Sequence, residues 1–161
     1  NVSGRFQGQT DVALSEEGRE QARRLARHVR GLERGAVVYA SPLVRARETA
    51  EIAFPRREIR LDPRLSELDF GAFEGSTQEE NERHEAWAWW IADPYQRPAP
   101  GGESYRQLRE RAVAWMEELS RAGSGPDHVV AVSHSGSSEA VVERVNDTRH
   151  LAAEGADPFL D

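Results

Sequence analysis

Two short apolar runs do most to limit what this chain can fold into. Val129 to Ser133 is the strongest strand signal, apolar through Val132, and Val37-Val38-Tyr39-Ala40 is a shorter run of the same kind. Apolar runs without alternation belong to strands buried in a parallel sheet. Helical patterns separate them. Ser15 is an N-cap, Glu16 and Glu17 suit a first turn, and Ala22, Leu25, Ala26 and Val29 share one face of a helix ending near Gly31. Ser41-Pro42 opens a second helix that carries Val44, Ala46, Thr49 and Ile52 and stops before Pro55. Glu58 to Leu61 makes a brief strand, and Asp62-Pro63 turns into a close-packed loop from Leu65 to Gly75. The pattern then predicts one polar, Trp-rich helix over roughly Gln78 to Ile91, ended by Pro94, Pro98 and Pro100. A long helix from about Ser104 carries the stripe Leu108, Ala112, Trp115, Met116 and Leu119 and exits at Gly123 to Pro126. Ala140 to Val145 supplies a last strand, and no internal repeat is present.

With 161 residues the chain is read as one domain, 1–161. A content of 38% apolar and 30% charged residues, without low-complexity tracts, fits a globular protein. No run approaches the roughly 18 apolar residues of a membrane span, and no leader resembles a signal peptide, so the expected compartment is the cytoplasm, with no membrane partner. The absence of cysteine excludes disulfides, thiolate metal sites and cysteine nucleophiles. A net charge of −7 argues against nucleic acid as a partner, yet arginines are abundant enough to build a local anion pocket. Asn1 stands where an initiator Met would, which leads to the expectation of a processed, trimmed or incomplete start.

His134 follows a buried strand at its carboxyl end, where open parallel sheets place ligands. On pattern alone, a histidine merely closing a strand against backbone carbonyls is an equal reading. Arg45 lies one turn after Ser41, where its guanidinium would join a helix N-terminus in attracting an anion. A lone arginine there is more often a surface residue, as Arg47 on another face is expected to be. Glu67, in Leu65-Ser66-Glu67-Leu68-Asp69-Phe70-Gly71, is flanked by apolar side chains that would partly desolvate a general acid. Asp69 and Glu74 compete for that role. Trp87, Trp89 and Trp90 suit either a stacking rim or, for two of them, the core. His28, His84, His128 and His150 read as structural or solvated.

Asn1-Val2-Ser3-Gly4-Arg5-Phe6-Gln7-Gly8-Gln9-Thr10-Asp11, followed by Leu14-Ser15-Glu16-Glu17-Gly18, is similar to the stretch after the first motif of histidine phosphatases. Ser41-Pro42-Leu43-Val44-Arg45-Ala46 with Glu48-Thr49-Ala50 resembles that family's second motif. Leu65-Ser66-Glu67 with Phe70-Gly71-Ala72-Phe73-Glu74-Gly75 resembles its acid loop, Pro100-Gly101-Gly102-Glu103-Ser104 the loop before its long helix, and Val132-Ser133-His134 its second histidine motif. Any one match is weak, but five in order from Asn1 to Gly136 are specific.

The resemblance implies an α/β fold of the phosphoglycerate mutase-like kind, a three-layer sandwich with a mostly parallel central sheet flanked by helices. It implies phosphoryl transfer through a phosphohistidine, without metal or cofactor. His134 would hydrogen-bond the phosphoryl oxygens, Arg45 would clamp the phosphate, and Glu67 would protonate the leaving alcohol and then assist water. Asn1, Gln7 and Gly8 match positions that line the phosphate and substrate entrance.

The family's first motif, an Arg-His-Gly triplet that supplies the attacking histidine, is expected just before Asn1. Val145-Asn146-Asp147-Thr148-Arg149-His150-Leu151 resembles the family's ending, so Ser137 to Glu143 reads as a join, and the domain is expected to be incomplete at its N-terminus and near 136–137. Without the first strand, the 161-residue chain is expected to fold poorly and to lack transfer through histidine. Ser135 stands where the family usually has glycine, and either narrows the pocket or donates a hydrogen bond. The short stretch from Gly75 to Pro100 favours a phosphatase over a mutase. The alternatives are mutase-type transfer, a non-catalytic phosphate-binding pseudoenzyme and, far behind, a nucleic-acid module. The expected partners are a small phosphorylated metabolite and a second copy of the chain in a homodimer. Sugar phosphates, phosphoglycerates and nucleoside-type phosphates such as α-ribazole phosphate are the candidate substrates.

Overall fold

The computed structural model describes residues 4–30, 35–121, 128–134 and, through the backbone, 142–145. Both apolar runs form strands, and they are neighbours. β1 (Ala36–Ala40) pairs in parallel with β3 (His128–Val132), Ala36 opposite His128 and Ala40 opposite Val132. β2 (Ile59–Leu61) lies parallel on the other side of β1, and β4 (Val142–Val145) joins β3 antiparallel, giving the order β2-β1-β3-β4.

The pleat sends successive side chains to opposite faces, and here both faces are covered. Val38, Ala40, Val130 and Val132 pack with Ala46, Ala50 and Ala53 of α2 (Val44–Ala53), and with Phe54, Val29 and Leu25. Tyr39, Val129 and Ala131 face the other way, onto Trp115, Met116 and Leu119 of α5 (Tyr105–Arg121). The Tyr39 and Trp115 rings meet edge to face at 5.5 Å. The result is the three-layer α/β sandwich, with three strands parallel and the fourth antiparallel.

α1 (Glu16–His28) starts as its sequence predicts, with the Ser15 hydroxyl accepting from the Gly18 N–H. It closes at Val29, whose N–H returns to the Leu25 carbonyl; Gly31 lies outside the described residues. α2 begins later than Ser41-Pro42 predicts, because the Ser41 N–H is still bonded to the Val132 carbonyl of β3 at 2.9 Å. Its cap comes from far away in sequence: the Asp11 carboxylate accepts from the Val44 N–H at 2.6 Å.

The single helix expected over Gln78 to Ile91 is two, α3 (Gln78–Asn81) and α4 (Trp87–Ile91). A capping box between Thr77 and Glu80 starts α3. The His84 N–H then reaches back only to the Asn81 carbonyl, while the His84 ring accepts from the Ala86 N–H, so the chain turns instead of continuing. The turn brings Trp87 and Trp90 into a buried cluster with Leu68, Phe70, Phe73 and Ala99, packed by Phe6. Burying each such ring contributes roughly 2–3 kcal/mol. Trp87 and Trp90 are therefore core, whereas Trp89 is half exposed, with the Arg97 guanidinium 5.1 Å from its ring centre. Among the described residues no helix is long and apolar enough to cross a membrane.

Candidate active site

β1 and β3 end side by side, and each delivers a polar residue at its carboxyl end. Ser41, fully buried, follows β1, and Ser133-His134 follows β3. The His134 Nε2 lies 2.8 Å from the Ser41 Oγ, which also accepts from the Leu43 N–H. The Ser133 hydroxyl donates to the Leu65 carbonyl at 2.8 Å, fastening the end of β3 to the loop that holds Glu67. Among the described residues His134 is thus bonded by a serine hydroxyl rather than by backbone carbonyls. Burial, then the positive charges of Arg45 and Arg111, push its pKa down to about 3, so the ring is neutral with one nitrogen free of a proton.

Arg45 stands in the first turn of α2. Its Nη1 donates to the Thr10 carbonyl at 3.0 Å, and its Nη2 to the carbonyls of Gln7 and Gly8 at 2.9 and 2.8 Å. The hydrogen on Nε and a second one on Nη1 make no bond among the described residues. Burial works against its charge, and the carboxylates of Glu67, Asp11 and Glu74 work for it. The Arg47 side chain is 43% exposed and pairs with the Glu51 carboxylate one turn on.

Residues 5–10 form a strap across the site. Arg5 bridges Thr77, the Phe6 N–H and carbonyl pair with the Ser76 carbonyl and the Gly75 N–H, and the Phe6 ring enters the aromatic cluster. Gly8 is pressed so closely on the acid loop that a Cβ there would stand 2.1 Å from the Leu68 carbonyl oxygen. Glu74 then accepts from the N–H groups of Gln9 and Thr10 and from the Thr10 hydroxyl. Gln7 and Gly8 therefore reach the site through their carbonyls. Asn1 lies outside the described residues, as do Ser135 and Gly136.

Glu67 is buried, 7% exposed, and its Oε1 accepts from the Leu68 N–H at 2.7 Å. Its two competitors are employed otherwise: Glu74 anchors the strap, and the Asp69 Oδ1 accepts from the Gly71 N–H at 2.8 Å. The Glu67 backbone is held as well. Its carbonyl accepts from the Gln9 Nε2 at 2.6 Å and from Arg111 at 2.9 Å.

Arg111 escapes a reading by sequence motif. Its Nη1 donates to the carbonyls of Arg64 and Ser66, both at 2.7 Å, and its Nε and Nη2 fork onto the two oxygens of Glu103 at 3.1 and 2.5 Å. A signal existed, because position 111 falls between Leu108 and Trp115 at helical spacing, on the buried stripe of α5. A charge on that face needs a partner.

Comparison with known proteins gives a consistent picture. The model of the histidine phosphatase superfamily (branch 1) matches residues 1–154. Phosphoserine phosphatase 1 of Hydrogenobacter thermophilus is 36% identical over 139 residues, covering 84% of this chain and 65% of that protein. A metal-independent phosphoserine phosphatase of Arabidopsis thaliana is 32% identical over 152 residues, covering 90% of this chain and 63% of its own length. The chain thus spans less than two thirds of these relatives. Among solved structures, the α-ribazole phosphatase from Shigella flexneri superposes with a TM-score of 0.74 at 26% identity, covering 83% of this chain and 67% of that one.

Proposed function

Because the chain belongs to branch 1 of the histidine phosphatase superfamily, we propose that it carries most of the catalytic domain of a metal-independent phosphatase acting on small phosphomonoesters. The observation that carries this reading is the convergence of His134, Arg45 and Glu67 beyond the carboxyl ends of β1 and β3. His134 is bonded to Ser41, just ahead of the helix that carries Arg45, and its neighbour Ser133 holds the Leu65 carbonyl in the loop that carries Glu67. A guanidinium, an imidazole and a buried carboxyl meeting at strand ends suit a phosphoryl group next to a proton donor.

In this reading the Arg45 N–H groups that the strap does not take up among the described residues, and the imidazole of His134, hold the phosphoryl oxygens and stabilise the charge that spreads over them during transfer. The attacking imidazole comes from the family's Arg-His-Gly motif, whose place is ahead of Asn1. As its nitrogen bonds to phosphorus, the P–O bond to the alcohol breaks, and the Glu67 carboxylic acid gives its proton to the departing oxygen. Water then attacks the phosphohistidine, Glu67 takes up a proton from it, and the N–P bond breaks to release orthophosphate. The names of the relatives suggest phosphoserine and α-ribazole phosphate as first substrates.

The test is turnover by the full-length protein, with EDTA present, on phosphoserine, α-ribazole phosphate and para-nitrophenyl phosphate. Metal-independent release of phosphate that collapses in His134→Ala and passes through an acid-labile phosphoenzyme supports the reading. Phosphate binding without turnover of any phosphomonoester refutes it and leaves a phosphate-binding module.

A further inference from the structure

We infer that Arg111, braced by Glu103, is a positioning residue for Glu67 and so sets the efficiency of leaving-group protonation. The inference rests on Glu67 being the proton donor of the proposed phosphatase.

The loop from Arg64 to Asp69 is seated at Leu65, which packs with Trp115 and whose carbonyl accepts from the Ser133 hydroxyl, but beyond that point it must still hold a carboxyl within hydrogen-bond reach of the leaving oxygen. Arg111 meets that need from α5, a rigid element of 17 residues. One guanidinium donates to the carbonyls of residues 64, 66 and 67, gripping the backbone before the acid and at the acid itself. The planar fork of Arg does this in one fixed orientation, which a lysine ammonium cannot.

Glu103 completes the clamp on the other side. Its carboxylate takes two Arg111 N–H groups and also accepts from the Asp69 N–H at 3.1 Å, while its own N–H donates to the Asp69 carbonyl at 2.9 Å. The approach is tight enough that a Cβ on Gly102 would stand 2.2 Å from that carbonyl oxygen. Residues 64 to 69 are thereby held on both sides of Glu67. The Arg111 and Glu103 side chains are 21% and 17% exposed, so water competes little for the pair.

A clamp that serves proton donation leaves a signature that general destabilisation does not. Protonation by Glu67 matters most when the leaving group is a poor one, and kcat/KM reports the step in which that group departs. Arg111→Lys in the full-length protein is expected to lower kcat/KM on the order of 10- to 100-fold for an alkyl phosphate, and only about 3-fold or less for para-nitrophenyl phosphate. In the Glu67→Gln background the same substitution should cost nothing further on the alkyl ester. Should Arg111→Lys fail to fold, Glu103→Gln, which removes the charge and keeps the shape, is expected to give the same pattern at smaller amplitude. Equal losses on the two esters, or losses that add to that of Glu67→Gln, overturn the inference while leaving the phosphatase reading intact. A wild-type protein that turns over neither ester overturns both.

Discussion

Lowering the pH from 8 to 5 should weaken the wild-type fold by about 2 kcal/mol through His134 alone. The imidazole is buried beside Arg45 and Arg111, and its pKa falls from 6.5 to about 3. The sign follows from which state binds the proton. Between pH 6.5 and about 3 the unfolded chain takes up a proton on this ring and the folded chain does not. The stability is therefore fully present above pH 6.5 and is lost as the pH falls toward 3. The loss is about 2 kcal/mol at pH 5 and grows to about 3 kcal/mol at pH 4. Carboxylates titrate in the lower part of this range, so the quantity to measure is a difference. Urea unfolding of the full-length protein and of His134→Gln at pH 8 and pH 5 isolates it, because the amide keeps a donor and an acceptor but does not titrate. The stability of wild type relative to the variant should fall by about 2 kcal/mol between the two conditions. A difference constant to within about 0.5 kcal/mol would refute the reasoning, as would an imidazole resonance of His134 that titrates near 6.5. Saturating orthophosphate should reduce the loss, since a bound dianion opposes the two guanidinium charges.

Gly8→Ala should destabilise the fold by about 1–3 kcal/mol in urea, because its Cβ would lie 2.1 Å from the Leu68 carbonyl oxygen and 2.9 Å from the Phe70 ring; turnover should fall further as the strap lifts off Arg45. Arg45→Lys leaves three carbonyls, those of Gln7, Gly8 and Thr10, to share one ammonium, and is expected to lower kcat/KM for every phosphomonoester by roughly 10- to 100-fold regardless of leaving group. Trp90→Ala should cost about 3–5 kcal/mol and Trp89→Ala less than about 1 kcal/mol, since Trp90 is 3% exposed and Trp89 50%; equal midpoints for the two variants would contradict the assignment of one to the core and the other to solvent.

What could be read from the sequence was what local periodicity encodes. β1, β3, α1 and α5 are long enough to repeat their pattern, and each lies within three residues of its expected place. The helix over Gln78 to Ile91 failed because apolar spacing cannot register a turn made by side chains, here Asn81 reaching the Phe73 carbonyl and His84 accepting from the Ala86 N–H. α2 starts later than Ser41-Pro42 predicts for a non-local reason, the capture of the Ser41 N–H by β3. In the site, His134 was legible as the residue ending a buried strand, whereas Glu67 was separable from Glu74 and Asp69 only through family resemblance. Arg111 is not legible because apolar periodicity marks a helix face by its apolar members and is silent about a charged residue buried among them.

The strap carries the most consequential information that side-chain identity does not encode. Backbone carbonyls belong to every residue, so nothing in Gln7, Gly8 or Thr10 announces that they would converge on one guanidinium. Yet that convergence decides how Arg45 can work. With Nη2 wholly committed and Nη1 half committed to the strap, its head cannot swing out to follow a departing anion. The donors that remain point from a fixed place, partly desolvated and within reach of the charge of Glu74. A cation fixed in this way needs little reorganisation when charge develops on a phosphoryl group, which is the condition under which electrostatic stabilisation is most effective. The anchoring of Thr10 by Glu74 thus bears on chemistry it never touches: loosening it should raise the mobility of Arg45 and lower kcat more than it changes stability.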